Sequence, residues 1–309
     1  MSRVGCRFRN EPITDTDNPI RREMVWHLAR TDIAGEDMSN FQAIALDMDG
    51  TLLTRDHKIS SATRAALDQA RTRGIKVLLV TGRHFMTARP FHHELALDTP
   101  IICSNGAYLY DPEQDRILDG DPLAIAPLDQ LLGQIEAQAM GALFHLSEGI
   151  GFLGCEEHVT RIRHWSARQP EHLKVSLLPA ENPASWLAQP IWKLELFNQD
   201  PTRLHAFMSN VVDAMPFTRD WAAPYAVELV QPGCSKGNRL AQWAESEGIA
   251  MENVVAFGDN NNDLSMFEQV GLAVAMGNAA SQIQAAADRV TADHNEDGIA
   301  LALQRWVLS

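Results

Sequence analysis

Short apolar runs alternate with longer amphipathic stretches along much of the chain. The runs at 42–47, 76–80 and 100–103 are almost continuously apolar, which is typical of strands buried on both faces of a parallel sheet. The stretches at 60–73 and 85–96 lie between these runs and have helical character. The order strand–helix–strand–helix–strand predicts an α/β fold with a doubly wound, Rossmann-like parallel sheet.

The pattern changes after a predicted hairpin at 108–118. Residues 119–225 combine helical stretches with neighbouring strands of antiparallel character, so we expect an inserted α+β domain. The alternating pattern resumes at 226–230, which we expect to be a strand of the parallel sheet. The sequence therefore predicts a core built from 41–118 and 226–309. The predicted elements of the insert are helices at 127–140, 158–168 and 201–215 and strands at 142–146, 151–154, 174–178 and 191–197.

Residues 1–40 are polar and charged and lack a clear hydrophobic period. We expect them to form a poorly ordered N-terminal extension that carries no chemistry. Met38 lies just before the first predicted strand, which is consistent with 1–37 being an upstream extension of the reading frame.

The predicted strands of the parallel sheet end in polar motifs. In open α/β sheets, ligands bind at the carboxyl ends of the strands, which meet at one edge. A sequence selected for stability alone has no reason to repeat such motifs at that edge. The motifs are Asp47-Met48-Asp49-Gly50-Thr51, Thr81-Gly82-Arg83, Ser104-Asn105-Gly106 and Gly258-Asp259-Asn260-Asn261-Asn262-Asp263.

Asp47 and Asp49 are spaced i, i+2, so in an extended chain their side chains project to the same side. Two carboxylates this close are unfavourable unless a cation lies between them or one of them holds a proton. This spacing suggests Mg²⁺, one carboxylate as nucleophile and the other as proton shuttle, with Asp259 placed to join the same cation. The alternative is a solvated Asp-x-Asp-Gly turn without chemistry.

Several residues near the same edge are suited to phosphate. The Thr81 hydroxyl and the Gly82 amide suit phosphate oxygens, although a helix N-cap with a tight turn explains them equally well. Lys236 opens a helix, where a cation opposes the macrodipole, so a phosphate-binding role is favoured over a solvated lysine. Asn262 could donate to a phosphate oxygen, and Asp263 could bond Lys236 or cap the following helix.

Other candidates are weaker. We expect His84, His92 and His93 to lie at the surface, because the His92-His93 spacing is not that of a zinc site. Trp192 and Lys193, in the insert, are candidate substrate contacts, although core packing is favoured for Trp192.

Charge and cysteine content exclude some classes of function. The net charge of −14 argues against nucleic-acid and membrane-surface partners, because both reward basic patches. An anionic substrate must therefore be recruited by a local field. The cysteines are scattered and show no CxxC spacing, which predicts reduced thiols and a cytoplasmic protein. No apolar run approaches the roughly 18 residues of a membrane span.

Taken together, the motifs resemble the four motifs of the haloacid dehalogenase (HAD) superfamily, in that family's order. Ser104-Asn105-Gly106-Ala107 and Val274-Ala275-Met276-Gly277-Asn278-Ala279 are similar to the Cof-type branch. That branch carries an α/β cap between the second and third motifs, where the insert falls here. Thr81-Gly82-Arg83-His84 and the stretch 251–260 most resemble the bacterial pyridoxal phosphate phosphatases of this branch.

The resemblance implies roles for named residues. Asp47 would attack phosphorus and form an aspartyl-phosphate, and Asp49 would act as acid and then as base. Mg²⁺ would be held by Asp47, the main-chain carbonyl of Asp49 and Asp259. The phosphate would be held by the amides of Met48 and Asp49, and by Thr81, Gly82, Lys236 and Asn262, with Arg83, Asn105 and Asp263 in support.

The resemblance also implies a reaction and a substrate class. HAD members that cleave carbon–halogen bonds lack the second acid, so Asp49 favours phosphomonoester hydrolysis. A lid formed by 119–225 suits a small phosphorylated metabolite. Pyridoxal phosphate is the first expectation, with Tyr108 and Trp192 as candidates for an aromatic wall. The alternatives are sugar phosphates of broad range and a non-catalytic metabolite-binding module.

Overall fold

The computed structural model describes residues 41–309, so the predicted N-terminal extension, 1–40, lies outside the described residues. In chain order the strands are β1 (Ala43–Leu46), β2 (Lys76–Val80), β3 (Ile101–Cys103), β4 (Tyr108–Asp111), β5 (Arg116–Gly120), β6 (Gly141–Leu146), β7 (Ile150–Leu153), β8 (Leu177–Pro179), β9 (Ile191–Phe197), β10 (Thr218–Ala223), β11 (Ala226–Val230), β12 (Val254–Gly258), β13 (Leu272–Ala275) and β14 (Arg289–Val290). The α-helices are α1 (Ser61–Thr72), α2 (Phe85–Glu94), α3 (Ile125–Ala137), α4 (Glu156–Ser166), α5 (Pro201–Phe207), α6 (Lys236–Ser246), α7 (Leu264–Phe267), α8 (Ser281–Ala286) and α9 (Gly298–Trp306).

The core is an eight-stranded sheet in the order β14-β13-β12-β1-β2-β3-β4-β5. The strands from β14 to β3 are parallel, and β4 and β5 add an antiparallel hairpin at one edge. The central strand β1 is fully buried and lies between β2 and β12. Strands are added to one side of β1 in the first part of the chain and to the other side in the last part. The strand order therefore reverses at β1, which is where a doubly wound sheet opens its crevice. The predicted α/β fold is confirmed.

Helices cover both faces of this sheet because their apolar sides match its buried strands. On one side, α1, α2 and α9 pack on residues such as Ile44 and Leu46. On the other, α6 and α7 pack on Ala43 and Ala45. Such helix ends are specified locally: Ser60 caps α1 by accepting a hydrogen bond from the amide of Thr63, as the sequence predicts.

A second sheet has six strands in the order β10-β11-β9-β6-β7-β8, mostly antiparallel. Helices α3 and α5 and the segment Pro183–Ala188 contribute apolar residues to its own core. We refer to residues 123–230, which build this sheet and its helices, as the cap.

One predicted strand belongs to the other sheet. The strand at Ala226–Val230 exists at its predicted bounds, but it pairs antiparallel with β9 and β10 and not with the parallel sheet. Its apolar run suits either sheet, so the pattern alone did not identify the partner strand. We had expected residues 226–230 to belong to the core sheet, and this expectation is wrong. The parallel sheet resumes at β12.

Other differences lie in the cap. Of the strand predicted at 174–178, only 177–178 lie in a strand, β8, which follows a short turn of helix at Glu171–Leu173. Strand β10 was not predicted, because its half-exposed sequence Thr-Arg-Asp-Trp-Ala-Ala contains no continuous apolar run.

The expected surface position is wrong for two of the three histidines. His84 and His92 are buried, whereas His93 lies in an exposed position. His84 Nε2 lies 2.7 Å from the carbonyl of Leu146, and His92 Nε2 lies 2.6 Å from that of Thr99. Burial lowers the pKa of both rings. Each histidine is therefore a buried, neutral side chain that bonds a backbone carbonyl, and not an exposed one.

Two sequence-based exclusions can be compared with the described residues. Cys103, Cys155 and Cys234 are free and buried, as predicted for reduced thiols, and Cys6 lies outside the described range. Among residues 41–309, no helix has the length and apolar character needed to cross a membrane.

Candidate active site

A buried ion cluster lies at the carboxyl end of β1. Lys236 Nζ donates to Asp47 Oδ1 over 2.6 Å and to Asp263 Oδ1 over 2.7 Å. All three side chains are buried. Asp263 also accepts from the amides of Asp259 and Asn260 in its own loop. The predicted bond to Lys236 is present, whereas the Asp263 side chain makes no capping hydrogen bond to the following helix, α7.

Lys236 has an unusual position, since it is the first residue of α6 and its charge opposes the helix macrodipole. Burial by itself lowers the pKa of its ammonium group. The carboxylates of Asp263 and Asp47 outweigh burial, and the pKa of Lys236 is raised. The lysine therefore stays charged at the base of the site, where it can attract an anion.

The carboxylates beside this lysine repel one another. Burial raises the pKa of Asp47 well above its usual range, and the charges of Asp263 and Asp259 add to the effect although Lys236 opposes it. Burial and the charge of Asp263 raise the pKa of Asp259 to about 6. Thr51 Oγ1 donates to Asp259 Oδ1 over 2.9 Å. A site that raises carboxylate pKa values in this way favours an added cation.

The acidic group can hold a metal ion. Each of Asp47, Asp259 and Asp263 offers a carboxylate oxygen, and these oxygens all lie within 4.8 Å of one another. An all-oxygen donor set of this kind suits a hard divalent cation. Asp47 and Asp259 are two of the three predicted ligands, and the third is the main-chain carbonyl of Asp49, which is not part of this carboxylate group. Asp263 was predicted only as a supporting residue.

Gly50 shapes the same site. Its φ is +82°, and a Cβ there would lie 2.3 Å from Asp259 Oδ2. We expect Gly50→Ala to displace the Asp259 carboxylate and to weaken divalent-cation binding at least tenfold. Titration calorimetry with Mg²⁺ measures this. Gly74→Ala is the matched control, because Gly74 has the same φ of +82° but a Cβ there would point into open space among the described residues. Equal loss of affinity in both variants would contradict the steric explanation.

Asp49 does not join the acidic cluster. Its carboxylate accepts from Arg83 Nε over 2.6 Å and from Arg83 Nη2 over 2.5 Å, a bidentate pair. Partial burial opposes ionisation, but the charge and hydrogen bonds of Arg83 outweigh it, and the pKa of Asp49 is lowered. About half of the Asp49 side chain, 52%, is exposed, so this carboxylate faces the open side of the site.

The predicted phosphate-binding residues surround the same point. Thr81 is buried at the end of β2, and its Oγ1 accepts from the amide of Arg83 over 3.1 Å. Asn262 Nδ2 donates to Asn105 Oδ1 over 3.1 Å. Within residues 41–309, Asn262 Oδ1 is a buried oxygen without a hydrogen-bond partner. The Met48 side chain, by contrast, is in the core, which leaves only its backbone for a ligand.

A cavity of about 660 Å³ lies over these groups, between the strand ends of the core and the cap. The core side of its lining includes Asp47, Asp49, Thr81, Gly82, Arg83 and Asn262. The cap side is mixed, with the apolar residues Leu143, Ile150, Ile162, Trp165 and Phe197 and the polar residues His145, His158, Arg161 and Asp220. These cap residues were not predicted from the sequence, because a helical or strand pattern does not show which face meets the core.

Core packing, the alternative favoured for Trp192, holds for both aromatic candidates, Tyr108 and Trp192. The Tyr108 ring is fully buried, and its hydroxyl accepts from the amide of Phe85 over 3.0 Å. Trp192 packs on Tyr108 at 5.2 Å and donates to Ser147. Neither lines the cavity over the carboxylates. Lys193 is also fully buried, and it donates to Glu228 and to the carbonyl of Gly82, so its ammonium group is engaged by the protein itself.

Comparison with known proteins is consistent with this geometry. A sequence profile of haloacid dehalogenase-like hydrolases matches residues 44–303. The chain is 37% identical over 261 residues to the pyridoxal phosphate phosphatase YbhA of Escherichia coli, covering 84% of this chain and 96% of the relative. It is 30% identical over 268 residues to the 5-amino-6-(5-phospho-D-ribitylamino)uracil phosphatase YitU of Bacillus subtilis, covering 85% of this chain and 96% of the relative.

Solved structures are similar as well. A haloacid dehalogenase-like hydrolase from Bacteroides thetaiotaomicron superposes with a TM-score of 0.76 at 26% identity. The match covers 86% of this chain and 99% of the other. The similarity therefore includes both the core and the cap.

Proposed function

Because the chain belongs to the family of haloacid dehalogenase-like hydrolases, we propose that it uses Mg²⁺ to hydrolyse small-molecule phosphomonoesters, with pyridoxal phosphate as its preferred substrate. Its relatives identify it as a phosphatase. The observation that carries the proposal is the buried Lys236 between two carboxylates, beneath a cavity that also exposes Asp49.

Asp47 would be the nucleophile. Its Oδ1 accepts from Lys236 over 2.6 Å, which fixes the carboxylate at the floor of the cavity. In the first step a carboxylate oxygen of Asp47 bonds to phosphorus, and the bond from phosphorus to the ester oxygen breaks. Lys236, the Thr81 hydroxyl and the Asn262 amide would meet the negative oxygens of the transferring group.

Asp49 would handle the proton. It would protonate the leaving oxygen in the first step and accept a proton from the attacking water in the second, which frees phosphate and restores Asp47. The pair with Arg83 lowers the pKa of Asp49 and so opposes the protonated form. A phosphate dianion beside Asp49 would raise that pKa, because like charge disfavours the ionised carboxylate.

The residues fit the proposed cation. Asp47 and Asp259 would hold Mg²⁺, and the clustered oxygens and raised pKa values of these carboxylates support that fit. When bound, Mg²⁺ would neutralise phosphate charge and favour the ionised Asp47.

The substrate assignment rests on the cap side of the cavity and on the relatives. Phe197 and Trp165 give an aromatic and apolar wall, and His158 lies 4.8 Å from the Phe197 ring between ring centroids. Such a wall suits a planar pyridine ring, with polar groups to orient its substituents. The relative at 37% identity is named for pyridoxal phosphate, which supports the same choice.

A sugar phosphate is the second candidate. The relative at 30% identity is named for a phosphate carried on a ribityl chain. The polar cap residues Arg161 and Asp220 could bond the hydroxyl groups of such a chain.

A panel of phosphomonoesters separates these substrates. Phosphate release with Mg²⁺ would be measured for pyridoxal phosphate, fructose and glucose phosphates, erythrose 4-phosphate and flavin mononucleotide. We expect pyridoxal phosphate to exceed the sugars in kcat/KM by at least about tenfold, or about 1.4 kcal/mol of transition-state discrimination. Equal or higher values for the sugars would contradict the pyridoxal phosphate assignment but leave the phosphatase chemistry intact. Ligand binding without turnover on any ester would support the non-catalytic alternative.

A further inference from the structure

The Ser104–Gly106 segment of the core has strained backbone geometry. Ser104, Asn105 and Gly106 have φ values of +52°, +57° and +87°. For Ser104, which carries a Cβ and is not an asparagine or glycine, this region of φ is unfavourable. Left-handed conformations of this kind persist where the surrounding structure holds them, so the contacts of this segment are informative.

The cap holds this segment through two side chains. Ser104 Oγ lies 2.7 Å from His145 Nδ1, and Asn105 Nδ2 donates to Glu228 Oε2 over 2.5 Å. His145 lies on β6 and Glu228 on β11, so both contacts cross from the cap sheet to the core. The strained segment is thus a joint between the two sheets.

The hydrogen-bond network that includes Glu228 extends to the Thr81–Arg83 turn. Glu228 Oε1 accepts from Lys193 over 2.6 Å, and Lys193 also donates to the carbonyl of Gly82 over 2.5 Å. Asn105 Oδ1 in turn accepts from Asn262 Nδ2 over 3.1 Å. A Cβ on Gly82 would lie 2.8 Å from Asn105 Oδ1, so this packing is close enough to fix the turn.

The sheet of the cap explains why these groups converge. Lys193 and Glu195 are two residues apart on β9, so their side chains lie on one face. In register, Lys193 is opposite His145 and Glu195 is opposite Glu228. Lys193 is fully buried, and the neighbouring carboxylates retain little exposure, 17% for Glu195 and 13% for Glu228. A buried network with every donor matched to an acceptor specifies one geometry.

We propose that Glu228 and Lys193 are positioning residues of the catalytic site, which hold Asn262 through Asn105 and hold the Thr81–Arg83 turn through the Gly82 carbonyl. Glu228 also lines the cavity, and the role proposed for it and for Lys193 requires no contact with the substrate. This inference rests on the proposed function, because it assigns the two residues to the phosphate-binding geometry of that site.

The two buried carboxylates give a matched pair of variants. Glu228 uses both oxygens, one for Lys193 and one for Asn105. A glutamine has a single acceptor oxygen, so Glu228→Gln leaves one of these donors without a partner. Glu195 Oε1 faces both Lys193 and His145, at 2.7 and 3.1 Å, so Glu195→Gln can present its one oxygen to both. The two variants remove the same charge beside Lys193 and differ in the contact to Asn105.

The probe is inorganic phosphate with Mg²⁺, measured both by calorimetry and as a competitive inhibitor of turnover. We expect Glu228→Gln to weaken phosphate binding by about 10- to 100-fold, the factor that corresponds to losing one hydrogen bond to a charged group. We expect kcat/KM to fall in parallel. Glu195→Gln should change both by less than threefold.

A reciprocal swap tests the route through Asn105. Asn105→Asp places a carboxylate against Glu228 while keeping an acceptor for Asn262, and aspartate tolerates the left-handed backbone. This variant should lose phosphate affinity to the same extent as Glu228→Gln. The double variant Asn105→Asp, Glu228→Gln restores a donor and an acceptor at this contact, so it should recover at least part of the loss.

The phosphate affinities of these variants either support or overturn the positioning role. Loss in both single variants with recovery in the double variant supports the positioning role, since a general loss of stability would not be rescued. Equal effects of Glu228→Gln and Glu195→Gln, or no recovery in the double variant, would overturn it. If Glu228→Gln fails to fold by circular dichroism, Asn105→Asp and the double variant carry the same comparison. Absence of phosphate binding and turnover in the unmodified chain would overturn the proposed function itself.

Discussion

Asp47→Asn should abolish phosphate release, with kcat reduced on the order of 10⁴-fold or more, the size of effect seen when a catalytic nucleophile is removed. Asparagine preserves the shape of the side chain and an acceptor for Lys236, but its amide does not form an acyl phosphate. Because the variant keeps Asp263 as the second partner of Lys236, the fold should remain intact. The measurement is steady-state phosphate release from pyridoxal phosphate with Mg²⁺.

Asp56→Asn is the control for this variant. Asp56 follows Asp47 in the same loop region and lies in an exposed position, so its substitution should leave kcat within about twofold, as is usual for exposed positions away from a site. Circular dichroism would confirm that both variants fold. Asp47→Asn activity within tenfold of the unmodified enzyme would exclude Asp47 as the nucleophile.

Lys236→Met should destabilise the protein by about 3–5 kcal/mol, because it leaves buried carboxylates without their shared cation. Lys236 Nζ lies within 2.7 Å of both Asp47 and Asp263, and the lysine side chain has no exposed surface. Urea denaturation of the metal-free protein measures the loss. Added Mg²⁺ should restore part of the stability, since a divalent cation would take over the compensation of charge.

The pH dependence of Lys236→Met gives a second test. In the unmodified protein, the charge of Lys236 partly opposes the rise in the pKa of Asp47. Removing the lysine should therefore raise that pKa further. A group whose pKa is higher in the folded than in the unfolded state favours folding below its unfolded pKa, and this stability is lost as the pH rises through the folded value. The loss of folding stability caused by Lys236→Met should therefore become smaller as the pH falls toward 4, roughly the unfolded pKa of an aspartate.

Lys76→Met is the matched control for the lysine. Lys76 Nζ lies 2.9 Å from Glu247, but its side chain is 45% exposed, and exposed ion pairs contribute about 0–1 kcal/mol. If Lys236→Met lowers the free energy of unfolding by no more than Lys76→Met does, ion pairing does not hold the buried cluster together.

The position of the catalytic motifs was predictable from the chain because topology determines it. The carboxyl ends of parallel strands share one edge of a sheet, so Asp47, Thr81 and Asp259 had to lie near one another once those strands were recognised. The ion pair of Lys236 with Asp263 was predictable for a different reason. A lysine that opens a helix requires a compensating charge, and the acidic loop after β12 offers one.

The cap contacts were not predictable in the same way. Ala226–Val230 has an apolar run that suits either sheet, and only pairing with β9 decides its place. Tyr108 and Trp192 were expected beside the substrate, yet they pack on each other, because aromatic composition does not specify which side of a strand meets the core. Lys193 and Glu228 come together through strand register and cap docking, which involve residues far apart in sequence.

A search for phosphate on Asp47 itself tests its proposed role as the nucleophile most directly. The enzyme would be mixed with pyridoxal phosphate and Mg²⁺, quenched in acid on the millisecond timescale and digested for peptide mass spectrometry. We expect a phosphorylated peptide that contains Asp47, present in the unmodified enzyme and absent from Asp47→Asn. Rapid turnover with no phosphate on Asp47 at any quench time, or with phosphate on another residue, would exclude Asp47 as the nucleophile.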